Sequence, residues 1–134
     1  MIVEVEWVEF DVVLAYHKRQ ISEHGGTEGL RDQGLLLSAL ARPENLNAYG
    51  EDVDIAALAA SFAFGIAKNH PFLDGNKRTA LVVSVAFLNL NGYDFDVDAT
   101  QTYTHFLSLA EGTLSEEELA NWYRKVIYRL SEDD

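Results

Sequence analysis

The chain has 134 residues, with 10 Lys plus Arg against 22 Asp plus Glu and an apolar fraction of 48%. That length suits one domain, residues 1–134, with a single core, and the apolar fraction excludes a wholly disordered chain. A net charge of −12 excludes a whole-surface nucleic-acid binder, because neutralising phosphates needs Lys and Arg, so no direct DNA binding is expected.

Other classes fall just as early. Without cysteine there is no disulfide framework and no thiolate metal site. No window approaches 18 consecutive apolar residues, so no membrane span is expected. The acidic start, MIVEVEWVEFD, lacks the basic region of a secretory signal, which points to the cytoplasm.

In chain order, the opening IVEVEW alternates and predicts one short strand. Phe10, Val13, Leu14, His17 and Ile21 recur at three- and four-residue steps, which predicts a helix over 10–24 ended by Gly25-Gly26. HGGTEGLRD has three glycines and no period and reads as a loop. Asp32 caps a short predicted helix through Leu35, Leu36, Leu37, Leu40 and Ala41, stopping before Pro43. The stretch PENLNAYGEDV is a second loop.

Asp54 then caps a helix over 55–69 that is apolar nearly all round, the mark of a central helix. After the turn NHPFLDG a second apolar helix is expected over 76–90, closed by Asn91-Gly92. YDFDVD alternates but is too short to found a sheet. Asp98 caps a helix through Tyr103, Phe106, Leu107 and Leu109. Ser115 and Glu118 have capping-box spacing and open a last helix expected to run to Leu130. The acidic end, SEDD, reads as a solvated tail. The prediction is an all-α single domain, a helical bundle, with at most that one N-terminal strand.

Charge is unevenly spread. Between Ile55 and Tyr93 the charged residues are Lys68, Asp74, Lys77 and Arg78, a net of +2, so the remainder carries −14. This cationic island lies in the most apolar third of the chain, where a polar loop, Lys68-Asn69-His70-Pro71-Phe72-Leu73-Asp74-Gly75, leads into a helix N-terminus. Such a terminus offers unpaired N–H groups and a positive dipole end. Asn76, Lys77 and Arg78 add anion-donating side chains there, although cations in a first turn oppose the dipole. A bound polyanion resolves that conflict. Asp74 is placed to hold a magnesium ion bridging phosphates, and Gly75 to let the backbone approach a ligand closely. His70 is the candidate general base for a hydroxyl attacking phosphorus, and Phe72 points into the core and pins the loop. The chemistry this implies is transfer of part of a nucleotide to a hydroxyl.

The nine residues His70-Pro71-Phe72-Leu73-Asp74-Gly75-Asn76-Lys77-Arg78 resemble the signature of the Fic/Doc family, H-x-F-x-(D/N)-(A/G)-N-K-R in its Doc (death-on-curing) branch. Gly25-Gly26, then Gly29-Leu30-Arg31-Asp32, Gly34-Leu35-Leu36 and Ala39-Leu40-Ala41-Arg42-Pro43 resemble the upstream segment of Doc-type proteins. The length and helical order agree too, so the resemblance covers nearly the whole chain. It implies a Fic/Doc-type helical fold. It also implies a toxin of a type II toxin–antitoxin system, with His70 as base, Asp74 as magnesium ligand, and Asn76, Lys77 and Arg78 as phosphate cradle. Lys68 falls where Doc proteins commonly carry a basic residue facing the site.

Two positions separate the branches. Adenylyl-transferring Fic proteins have glycine after the Asn and a second arginine three residues past the first, where this chain has Lys77 and Leu81. The resemblance therefore implies a kinase that presents the γ-phosphate of ATP to a Ser or Thr hydroxyl of a translation elongation factor. It also implies an antitoxin whose C-terminal segment folds as a helix into a groove. The inhibitory pattern (S/T)-x-x-x-E-(G/N) is approached only by Ser108, Glu111 and Gly112, one residue too short, so inhibition is expected in trans. Trp7, Tyr16, Tyr103 and Trp122 are the aromatic candidates for the groove. Arg31 and Asp32, in the glycine loop, are candidates for protein docking, with a helix cap as the simpler role of Asp32. Two alternatives stand beside the kinase: an adenylyltransferase of protein hydroxyls, and a catalytically silent antitoxin-binding domain.

Overall fold

Four short polar side chains decide where four helices begin. Asp32, Asp54, Asp98 and Ser115 each stand in extended backbone and accept the N–H three residues on, from Leu35, Ala57, Gln101 and Glu118. This satisfies one of the donors a helix start leaves unpaired. In the computed structural model, which describes residue 2 and residues 4–130, six helices result. They are α1 (Phe10–His24), α2 (Gln33–Tyr49), α3 (Ile55–Asn69), α4 (Asn76–Leu90), α5 (Ala99–Glu111) and α6 (Glu116–Val126). Ser115 and Glu118 complete the capping box at α6.

The apolar, alanine-rich α3 lies at the centre, against α2, α4 and α6. Phe62 on α3 meets Phe87 on α4 with ring centroids 4.8 Å apart, and Trp7 stacks on Phe87 at 5.8 Å. Phe95, Trp122 and Tyr123 build a second aromatic group at the α6 end. The molecule is all-α but for one small antiparallel ribbon, β1 (Tyr93–Phe95) with β2 (Ile127–Arg129).

Four expectations need correction. Residues 1 and 3 lie outside the described chain, and residues 4–9 form no strand. YDF does found a ribbon, because Ile127, Tyr128 and Arg129 leave α6 to pair with it, so α6 stops at Val126 rather than Leu130. Leu130 then donates its N–H to the Gly92 carbonyl at 2.8 Å. The helix α2 runs through Pro43 to Tyr49. Beyond the proline, Asn47 is buried and its side chain accepts from Ile2 N–H and donates to Ile2 C=O, both at 2.8 Å, so tertiary contacts outweigh the lost helical bond. Trp7 is half-buried against the core and Trp122 is 8% exposed, so of the four aromatics Tyr103, at 65%, is the one most open to solvent. SEDD lies outside the described residues.

Candidate active site

The loop between α3 and α4 is fixed from both sides before any ligand enters. His70 closes α3 in the left-handed conformation, φ 48° and ψ 55°, because Pro71 forbids a further helical turn. Phe72 is buried, as expected. The buried Asn76 amide grips it: its carbonyl accepts Phe72 N–H at 3.0 Å and its NH₂ donates to Phe72 C=O at 3.0 Å. The same NH₂ lies 3.4 Å from His70 Nδ1, so Asn76 ties the His70 ring to the loop's anchor.

Asp74 is held through both its backbone and its carboxylate. Its carbonyl lies 2.8 Å from Nε2 of the buried His17, whose ring stacks on Phe72 at 3.8 Å. Its carboxylate accepts N–H bonds from Gly75 at 2.8 Å and from Thr27 at 3.2 Å, one on each oxygen. Each oxygen keeps a second lone pair, so the carboxylate fits a divalent cation that also takes phosphate and water oxygens. Among the described residues no cluster of three or more His, Asp or Glu surrounds it.

The start of α4 is shaped for an anion. Gly75, the residue before the helix, is left-handed at φ 73°. The first helical bond runs from Thr79 N–H to Gly75 C=O, so the N–H groups of Asn76, Lys77 and Arg78 have no helical acceptor. The first turn contains no acid. Among the described residues, neither Lys77 nor Arg78 stands within ion-pair distance of a carboxylate. Two exposed, unpaired cations beside free amides make a strong anion subsite.

A cleft of about 770 Å³ opens over this turn. His70, Asp74, Gly75, Asn76, Lys77 and Arg78 form one wall, and Thr102, Tyr103, Phe106 and Leu107 of α5 face them, with Leu81 also lining it. A cationic wall opposite an apolar, aromatic one suits a nucleotide, whose phosphates and base differ in the same way. Lys68 is not part of this lining. Its ammonium stands 5.8 Å from the Phe64 ring centroid, beside Gly112.

The glycine loop also meets the motif. Leu30 pairs with Phe72 as an antiparallel bridge, Leu73 N–H donates to Gly29 C=O at 3.0 Å, and Arg31 and Asp32 N–H both donate to Pro71 C=O. Asp32 is the cap of α2, the simpler of its two expected roles.

The match to known proteins follows the same architecture. A family model described as Fic/DOC family matches residues 7–88. The protein kinase doc of Escherichia phage P1 is 31% identical over 114 residues, spanning 85% of this chain and 90% of that protein. The chain belongs to the Fic/DOC family. A toxin Doc of Mycolicibacterium smegmatis is 42% identical over 83 residues, 58% of this chain and 63% of that protein. The Fic/DOC match takes in α1 to α4, and so the motif, the glycine loop and His17. His17 was legible in the sequence only as a member of α1's apolar stripe. A histidine buried on such a face must find a polar partner, and that requirement was the one signal of its bond to Asp74.

Proposed function

We propose that the chain is a Doc-type toxin of the cytoplasm, a protein kinase that transfers the γ-phosphoryl group of ATP to a Ser or Thr hydroxyl of a translation factor. Inhibition by an antitoxin's C-terminal helix is part of the same reading. The observation that carries it is the first turn of α4. By the resemblance, Lys77 stands where adenylyl-transferring Fic proteins carry glycine, and Leu81, which lines the cleft, stands where they carry a second phosphate-binding arginine.

In this reading Asn76, Lys77 and Arg78, with the free amides of their turn, hold the nucleotide's phosphates and stabilise the charge that builds on them. His70 takes the proton from the attacking hydroxyl as its oxygen bonds to the γ-phosphorus and the bond to the bridging oxygen breaks. ADP leaves with that electron pair. Asp74 would hold magnesium, which supplies charge neutralisation at the phosphates.

ATP labelled separately at the α and γ positions, incubated with the protein, magnesium and a translation extract, tests this. The γ label is expected on protein and the α label is not, with His70→Ala reducing transfer by roughly 10²-fold or more. Transfer of the α label would make it an adenylyltransferase. Equal growth arrest by wild type and His70→Ala would make it a silent binding domain.

A further inference from the structure

The motif supplies His70, and another part of the chain supplies what holds it. The last carbonyls of a helix have no acceptor role within it and need donors from elsewhere. At the end of α3 the outermost carbonyls are those of Asn69, the last helical residue, and of the cap His70, and Pro71 follows directly. All three are taken by one short segment. Arg31 Nε donates to His70 C=O at 2.7 Å and its NH2 group to Asn69 C=O at 2.9 Å. The N–H groups of Arg31 and Asp32 meet at Pro71 C=O, at 2.7 and 3.0 Å. Asn69 in turn donates to Leu35 C=O at 3.0 Å, so the helix that Asp32 caps is fastened to the same place.

The planar guanidinium fork matches two consecutive carbonyls, and its charge sits at the negative end of the α3 dipole. What it holds there is costly on its own, since a left-handed conformation crowds the Cβ of a residue with a side chain. Without the fork, His70 is free to relax toward ordinary backbone angles, which swings its imidazole away from Asn76 and the cleft.

We infer that Arg31 is a positioning residue: its guanidinium locks the left-handed backbone of His70 and so aims the imidazole at the reacting hydroxyl. This assigns Arg31 a role inside the site rather than in protein docking, and its catalytic part rests on the kinase reading above. Arg31 does not line the nucleotide cleft, so it acts on the rate and not on nucleotide binding.

The test compares wild type, Arg31→Lys and Arg31→Met. At saturating ATP, Arg31→Met is expected to lower the maximal γ-label transfer rate on the order of 10²-fold, as a displaced catalytic group does. The apparent KM for ATP should stay within about threefold of wild type. Arg31→Lys, able to reach one carbonyl rather than two, is expected to recover part of the rate. In parallel, the backbone ¹³C shifts of His70 should leave their left-handed values in Arg31→Met. If Arg31→Met does not fold, Arg31→Lys decides by the same two measurements. An unchanged rate, a loss confined to KM, or unchanged His70 shifts overturns the inference. If wild type transfers no label, the kinase reading fails, and the His70 shifts alone judge the role of Arg31.

Discussion

The carboxylate of Asp74 and the backbone of Gly26 share a space that admits nothing more. A Cβ built at Gly26, whose φ is 121°, would stand 2.7 Å from Asp74 Oδ2. Gly26→Ala therefore combines a disfavoured backbone with a displaced carboxylate. It is expected to cost about 1–3 kcal/mol in denaturant unfolding and to speed exchange of the Thr27 amide, which donates to that oxygen. Unchanged Thr27 protection would refute the coupling. At this scale the nine-residue motif carried most of the site, because each of its residues has a chemistry of its own. The partnership of Arg31 with His70 spans 39 positions and leaves no local trace. The tryptophans stayed open between core and groove for a related reason: a large apolar ring has the same letter whether it meets the core or a partner.

Between elements, the joint of α3 with α6 carries the clearest charge dependence. Asp54 caps α3 and also accepts from Arg124 of α6 at 2.6 and 2.9 Å. The Arg124 hydrogen bond, with help from the Ala57 amide, holds the Asp54 carboxyl below the usual carboxylate range. A pKa lowered by folding adds stability that is complete above the unfolded value and disappears as pH falls through the folded one. Asp54→Asn keeps a cap and loses the charge, so it should be less stable at about pH 7 by about 0.5 kcal/mol, the pair being half exposed. The gap should close as pH falls below the usual carboxylate range and through the lowered folded value of Asp54, in parallel urea titrations.

Where α4 meets α6 at Ser84 and Tyr123 the contact is polar and buried. Ser84 Oγ donates to Leu81 C=O and lies 2.5 Å from the Tyr123 hydroxyl, whose phenol burial pushes up beyond its ordinary range. Ser84→Ala strands the buried hydroxyl of Tyr123 and should cost about 1–3 kcal/mol. In Tyr123→Phe, Ser84 keeps its bond to Leu81, so the loss should be smaller, and the double variant should lose less than the sum of the two. Strict additivity in urea unfolding would exclude the pairing. Helix starts were legible because a cap is a local device, one side chain and one amide three residues on. The ends of α2 and α6 were not, because Pro43 is overruled by contacts of Asn47 with residue 2, and Val126 stops a helix only because Tyr93–Phe95 offers a strand.

For the whole molecule the informative quantity is the separation of charge, −14 around a region of +2. Self-repulsion of the acidic body weakens with salt, and so, on the proposed function, does attraction of ATP to Lys77 and Arg78. Raising salt from about 0.05 to about 0.5 M should therefore raise Tm while weakening ATP binding measured by calorimetry. A Tm that falls together with affinity would contradict this division. The fold class was readable because length, helical periods and caps agreed with one another. What covers what was not readable, since periodicity gives a face and not its neighbour.

The turn of residues 50–54, between α2 and α3, divides the chain in a particular way. Everything before it carries His17, Thr27, Arg31 and Asp32, and everything after it carries the motif they hold. Glu51 and Asp52 in that turn are exposed, as nicking sites usually are. On the proposed toxin reading, a cut there gives two coded halves, neither with a complete site, so that activity needs both. Expressed from separate promoters, the halves of such a toxin are expected to spare cells singly and arrest growth only together, which would make the pair a detector of coincidence.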